Sequence, residues 1–323
     1  MKKIALLLPD QFFASSVTAL VDLLHITNGC WGRDKPPLFC WQLLSATGDA
    51  VISSSGLKFA VEGDFSRAAD ADVIYLPGVG YRDLAEYERR LSSGSGLCAR
   101  ILAWQREGRL LAGNCTGVAW LAQSGVLNGE EATVSWWLSD WFRRRYPAVK
   151  LRAHAVLVEA GNLLTSGAAT SHHNLGLRLV ERFAGADLAM MCARLMLVDI
   201  RRESQAPYAN FQQYFGHGDA LIARSQQWLQ QRLAEPFRLD ELARAVGASE
   251  RTLIRRFRVA LGDTPLHYLQ QLRLHAARRL LETTSLGLEQ IVAEVGYSDV
   301  STFRRLFKRE LACTPGEYRR AGK

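Results

Sequence analysis

The sequence predicts two folds in one chain. Residues 1–198 read as an α/β domain, a parallel sheet with helices on both faces, and residues 219–323 as an all-α domain with two helix-turn-helix units. Three observations carry that prediction. Short apolar runs alternate with amphipathic stretches through the first part, as strands and helices do around a parallel sheet. Residues 199–218 break the pattern with Pro207, two glycines and a polar mixture, which marks a linker. Beyond it the chain repeats itself, and a repeat organises a reading before any single motif does. Gly247-Ala248-Ser249, then Arg255, Arg256 and Phe257, then Leu261 and Thr264-Pro265 return as Gly296-Tyr297-Ser298, Arg304, Arg305 and Phe307, and Leu311 and Thr314-Pro315. The offset is 49 residues up to the serine and 50 after it, so the second copy carries one inserted residue.

In order, Ile4 to Leu8 is an apolar run closed by Pro9-Asp10, hence a buried strand. Ser15 to Ile26 has Val17, Leu20, Val21 and Leu24 at helical spacing. Leu38 to Ser45 is a strand, Val51 to Val61 a pair of short strands about Ser53 to Gly56, and Asp72 to Leu76 a buried strand ending in Pro77-Gly78. Asp83 to Glu107 reads as helical, Arg109 to Ala112 as a strand, and Val118 to Ser124 as an apolar helix. Ser135 to Arg145 is a Trp-rich helix ended by Pro147, and Ala153 to Val158 with Leu163 to Thr165 make a hairpin. Helices follow over Ala169 to Phe183 and Asp187 to Val198. Past the linker the pattern is helical throughout: Ala220 to Leu233, Leu239 to Val246, Glu250 to Ala260, Pro265 to Glu282, Leu288 to Val295 and Val300 to Leu311.

At 323 residues and 48% apolar, the chain can supply a core to each domain. Its net charge of +8 is uneven: Asp219 to Lys323 holds 18 Lys and Arg against 12 Asp and Glu, and residues 1–218 hold 22 against 20. The basic end suits a nucleic-acid partner. Six cysteines without CxxC spacing, in a chain too large to need disulfides, read as reduced thiols. Met1-Lys2-Lys3 imitates the start of a secretory leader, but the apolar run after it stops short of the roughly 7–15 residues required. No run approaches the ~20 residues of a membrane span. A cytoplasmic protein without membrane attachment, metal or cofactor is expected.

In the first repeat unit Leu239, Leu242 and Val246 form an apolar face, Gly247 allows a tight turn and Ser249 is a natural N-cap. Leu253, Ile254, Phe257 and Leu261 turn inward on the next helix, which leaves Arg251, Arg255 and Arg258 along one outer edge, where guanidiniums reach guanine edges or phosphates. In the second unit Val292 and Val295 pack, Gly296 turns, Ser298 caps and Phe303 and Phe307 anchor the core. Val300, Ser301, Arg304, Arg305 and Lys308 are left as the DNA-facing set. The helix between the copies can hold two recognition helices at a fixed distance, and major grooves on one face of DNA recur every ~34 Å. Leu242 to Gly247 with Ser249, Ile291 to Tyr297, Phe303, Phe307 and Lys308, and Thr314 to Arg319 resemble the AraC/XylS family of transcription regulators. The resemblance implies base-facing positions at Arg251, Ile254 and Arg255, and at Val300, Ser301 and Arg305.

In the first domain Cys115 follows a buried strand and opens a helix between Gly113 and Gly117. Such an elbow exposes a nucleophile to backbone N–H groups and should depress its pKa. Tyr75-Leu76-Pro77-Gly78, Leu111 to Gly117, Gly125 to Gly129 and Thr165-Ser166-Gly167 resemble the PfpI-like, class I glutamine amidotransferase-like domain, a flavodoxin-like fold, as it occurs fused to regulators of the GlxA type. Two departures stand out: Thr116 follows the cysteine where enzymatic members keep a His, and Ser135 stands where the fused regulators often have one. His172 and His173 remain as distant candidates for the base, or as helix-cap residues. Asp10, at the end of the first strand, either tunes Cys115 or simply ends the strand.

The expected function is a DNA-binding regulator. Its α/β domain binds a small molecule at the carboxyl ends of the strands, near Asp10, Gly78, Asn114, Cys115, Thr116 and Ser166, or mediates dimerisation. Double-stranded DNA, a small-molecule effector, a second copy of the chain and RNA polymerase are the expected partners. Ser135 to Phe142 or Ala169 to Phe183 could make the dimer contact. The alternatives are a cysteine-dependent amidase, peptidase or glyoxalase-like enzyme using Cys115, and a redox sensor using the same thiol.

Overall fold

A computed structural model describes residues 1–32, 34–200, 204–205, 219–261, 263–311 and 313–321. The chain divides into two compact units, Met1–Gln205 and Ala206–Lys323. Most of the segment read as a linker, 199–218, lies outside the described residues.

The first unit is built on a seven-stranded sheet. Its strands are β1 (Lys2–Leu7), β2 (Phe39–Ser45), β5 (Gly63–Asp64), β6 (Val73–Leu76), β7 (Leu110–Asn114), β10 (Leu157–Ala160) and β11 (Leu163–Ser166), in the order β10-β11-β7-β6-β1-β2-β5. Every neighbouring pair is parallel except β10 with β11, a hairpin with a two-residue turn at Gly161-Asn162. Between them run β3 (Val51–Ile52) paired antiparallel with β4 (Lys58–Phe59), and β8 (Glu131–Ala132) paired with β9 (Lys150–Leu151). The strands β1, β6 and β7 are apolar because both faces are covered; Ile4, Leu6, Val73, Tyr75 and Leu111 are fully buried. The chain reverses direction across the sheet between β1 and β6, which opens a crevice at their carboxyl ends.

Helix α1 (Ala14–Trp31) runs five residues past its expected end. The reason is Asn28, whose side chain brackets the backbone of Phe39 with hydrogen bonds of 2.8 and 2.9 Å and so stitches the last turn to β2. The region 83–107 is two helices, α2 (Leu84–Ser93) and α3 (Ser95–Arg106), rather than one. Helix α4 covers Val118–Gln123. The Trp-rich stretch does not begin as a helix at Ser135: a 3-10 turn at Trp136–Leu138 leads into α5 (Ser139–Arg145). Part of its apolar face is covered within the unit, since Leu138, Trp141 and Phe142 are in the core and the Trp141 indole donates to Glu88 Oε1 at 2.7 Å. Helix α6 (His172–Ala184) likewise buries Leu175, Leu177, Leu179 and Val180 in its own unit, packing on α1 and α7 (Ala186–Leu195).

The second unit is helical: α8 (Ala220–Gln231), α9 (Leu239–Val246), α10 (Glu250–Leu261), α11 (Pro265–Thr283), α12 (Leu288–Glu294), α13 (Val300–Leu311) and α14 (Pro315–Ala321). Two separate cores share one helix. Leu221, Ile222, Leu242, Leu253 and Phe257 pack against Tyr268 and Leu269 at the start of α11. Ile291, Val292, Phe303 and Phe307 pack against Leu274, Ala277 and Leu281 towards its end. At 19 residues α11 spans about 28 Å, at 1.5 Å per residue. Arg273, at its middle, is buried and donates to Leu233 O at 2.8 Å and Glu235 O at 2.6 Å, with Tyr297 of the second turn 5.2 Å from its guanidinium. The two halves are thereby tied as well as joined. Among the described residues no helix is long and apolar enough to cross a membrane.

Candidate functional sites in the two units

The elbow at Cys115 is present. β7 ends at Asn114, Cys115 takes a left-handed φ of 57°, and a 3-10 turn over Cys115–Gly117 leads into α4. A non-glycine residue in that conformation is held by its surroundings. Gly117 is required by space, because a Cβ there would lie 2.3 Å from Pro77 O. Thr116 Oγ1 donates to Val79 O at 2.9 Å and accepts from Val79 N at 2.6 Å, which locks the turn to the loop after β6.

The thiol is not exposed, and its pKa is not depressed. Cys115 is fully buried, and burial pushes the thiol up; the hydrogen bonds from Ser135 and Thr116 pull the other way without prevailing. Ser135 Oγ donates to Cys115 Sγ at 2.9 Å. The serine that departs from the family pattern is thus the residue that meets the sulfur. His172 and His173 sit at the start of α6 with their Nδ1 atoms 2.6 Å from Ala169 O and 3.2 Å from Thr170 O. Asp10 is an exposed turn residue.

The residues expected around a ligand do converge at the carboxyl ends of β6, β7 and β11. Gly78, Asn114, Cys115, Thr116 and Ser166 are all buried, and Phe13 closes over Gly78, with Phe13 N donating to Gly78 O at 2.8 Å. Asn114 Nδ2 donates to Ser166 Oγ at 3.0 Å and Ser171 Oγ at 3.2 Å. Ser171 Oγ spends its own proton on Ala168 O, so the amide orientation is fixed by the network. Asn114 Oδ1 is left buried with no hydrogen-bond partner among the described residues. An acceptor in that state costs about 1–3 kcal/mol.

In the second unit the repeat has become two helix-turn-helix units, α9–α10 and α12–α13. Gly247 takes φ 71° and ψ 40°. Ser249 Oγ accepts from Thr252 N at 3.2 Å, as its cap role requires. In the second copy Ser298 is not the cap. Asp299 is, accepting from Ser301 N at 2.7 Å and Thr302 N at 3.2 Å, because the inserted residue lies in the turn and displaces the cap by one. Arg251, Arg255, Arg258, Ser301, Arg304, Arg305 and Lys308 are exposed, and Ile254 and Val300 are half-buried. Arg256, which the sequence groups with Arg255, points elsewhere: it clasps Asp219 at 2.5 and 2.7 Å and holds α10 to α8.

Sequence reasoning missed three residues: Asp299, Ser135 as the thiol's partner, and Gln205. Asp299 was available from the offset of 50. Gln205 carries no local signal, because all its partners are backbone or hydroxyl groups far away in sequence.

An α/β unit followed by paired helix-turn-helix units that share one long helix defines a DNA-binding transcription regulator. Residues 242–321 match the family described as a helix-turn-helix domain, and this one is of the AraC type. The chain is similar to the HTH-type transcriptional regulator GbdR of Pseudomonas aeruginosa, 28% identical over 98% of this chain and 84% of that protein. It is also similar to the regulator GlxA of Rhizobium meliloti, 27% identical over 99% and 96%. Among solved structures, an AraC family transcriptional regulator from Pseudomonas putida aligns with TM-score 0.51 and 22% identity over 61% of this chain and all of that one. Drosophila melanogaster DJ-1beta aligns with TM-score 0.51 and 19% identity over 61% and 98%. These likenesses give the α/β unit the DJ-1/PfpI fold.

Proposed function

We propose that this regulator reads DNA through Arg251, Ile254, Arg255 and Arg258 of α10 and through Val300, Ser301, Arg304, Arg305 and Lys308 of α13. The observation that carries the assignment is the contrast among the arginines. Arg256 and Arg273 are spent on internal partners, whereas Arg251, Arg255, Arg258, Arg304, Arg305 and Lys308 form no ion pair among the described residues. Exposed cations aligned on two helices suit phosphates and guanine edges. Arg255→Ala or Arg305→Ala should weaken operator binding by about 1–3 kcal/mol and relax preference at one base position each. Mobility shifts against a target selected from random duplexes measure this, and an unchanged affinity removes the residue from the interface.

The α/β unit, with boundaries near 1–198, is proposed as a cytoplasmic sensor and dimerisation domain rather than an enzyme, and RNA polymerase as the partner through which the regulator acts. Asn114 Oδ1 supports the sensor reading, since an effector offering an N–H or O–H there relieves a buried acceptor. The Cys115 thiol, protonated by burial and partnered by a hydroxyl, lacks the base that a nucleophile uses. Its alkylation by iodoacetamide should be slow at pH 7 and rise only at a pH above the ordinary thiol range. Rapid alkylation at pH 7 with turnover of amides or α-oxoaldehydes would restore the enzyme alternative.

A further inference from the structure

The last residue of the α/β unit is seated in a slot that the regulator reading does not use. Gln205 is 3% exposed, and its carboxamide is bonded on both sides. Nε2 donates towards Val134 O at 2.7 Å, Ala153 O at 2.9 Å, and Thr133 Oγ1 and Ala155 O at 3.3 Å. Oε1 accepts from Ala168 N at 3.1 Å and Trp136 N at 3.3 Å. Gly167 leaves the room, because a Cβ there would lie 2.5 Å from Oε1.

We propose that this slot is an exchangeable binding site for a primary carboxamide, in which Gln205 is the resident occupant. Acceptors line one side and backbone donors the other, at the spacing of a single amide. A carboxylate would set an oxygen against four acceptors, and an alkyl group would strand buried polar atoms. Ser204 and Gln205 belong to no strand of the seven-stranded sheet; an isolated bridge to Ala155 and a bond from Gln205 N to His154 O at 2.7 Å are among the backbone contacts that hold them.

The slot shares its walls with the Cys115 site. Val134 O and Trp136 N flank Ser135, whose hydroxyl holds the thiol, and Ala168 N follows Ser166-Gly167, where Asn114 is anchored. A ligand whose carboxamide occupies the slot displaces the residue from which the chain continues into the helix-turn-helix unit. That regulatory meaning rests on the sensor reading; the existence of the site does not. The tethered glutamine competes at an effective concentration on the order of millimolar, so an emptied slot gives the cleaner test.

The experiment uses the full chain with Gln205→Ala and propionamide as the probe. Propionamide should raise the Tm of the variant by several degrees in a saturable way, while propionate should not, and wild type should show the propionamide shift only at concentrations well above those that saturate the variant. Equal shifts with both probes, or none with either, overturn the site. Gln205→Glu serves if the alanine variant does not fold. It should be less stable than wild type at pH 7, with the gap narrowing as acid protonates the carboxyl and restores a donor; equal stability at pH 7 overturns the proposal. Operator affinity measured alongside separates the two readings. A Tm shift without any change in DNA affinity keeps the site and removes the sensor role, and the absence of a Tm shift removes the site whatever the DNA does.

Discussion

The two helix-turn-helix units start from the same motif and solve the turn differently. In α9–α10 three residues link the helices, Gly247 has open space around its Cα, and a serine caps. In α12–α13 the link is longer, an aspartate caps, and Gly296 is pressed against another loop: a Cβ would lie 2.6 Å from Ala234 O and 2.7 Å from Ala234 Cα. One inserted residue thus changes the cap, and the second turn lies against the loop after α8, whose carbonyls at Leu233 and Glu235 Arg273 holds. The first turn is a local device. The second also fixes how the two units are mounted on α11.

That difference can be broken at the glycines. Both hold positive φ, 71° and 81°, so alanine at either costs about 1–2 kcal/mol for the left-handed backbone. Gly296→Ala must also move backbone at Ala234, an overpacking cost of about 1–3 kcal/mol more. Chemical denaturation should therefore rank Gly296→Ala well below Gly247→Ala. Equal losses would mean that the second turn is as free as the first. Operator binding sharpens the same point, since Gly296→Ala should weaken a two-site target more than Gly247→Ala does, beyond what the unfolded fraction explains.

A smaller effect is expected at the junction. Arg273→Lys keeps a charge but loses the fork that serves two carbonyls, Leu233 O and Glu235 O. It should cost roughly 1–2 kcal/mol. Targets whose half-sites are respaced by one base pair should then be discriminated less well than by wild type, as read in paired mobility shifts. Retained discrimination would place the control of spacing in α11 alone.

What could be read in advance follows the range of the forces involved. Helices α9 and α13 begin and end where periodicity puts them, because that signal is local. The buried strands were equally legible as apolar runs. β5, β8 and β9 were not, since two residues make no pattern. At the elbow, glycines on either side of Cys115 announced the geometry, but the state of the thiol depends on Ser135 and on burial, which no neighbouring residue reveals. The apolar faces at 135–142 and 169–183 carry a related lesson: an apolar helix face says that something covers it, and here the cover of Leu138, Trp141, Phe142, Leu175 and Leu179 lies within the same unit.

The caps give the finest comparison of the two copies. Ser249→Ala should cost about 1 kcal/mol and leave the pH dependence of stability unchanged. Asp299 carries a charge, and hydrogen bonds from the Thr302 and Ser301 amides hold its carboxyl below the ordinary 3.8. A carboxylate lowered in the folded state contributes stability above the unfolded value, and that contribution fades as pH falls through the folded one. Asp299→Asn keeps an acceptor at the cap but removes the titration. The variant and wild type should therefore differ at pH 6 and converge below pH 3.8, as read in unfolding midpoints across that range. Ser298→Ala should leave both midpoint and pH profile unchanged, because the insertion has moved the cap past it. A loss at Ser298 as large as that at Ser249 would put the inserted residue after the cap and restore the simpler repeat.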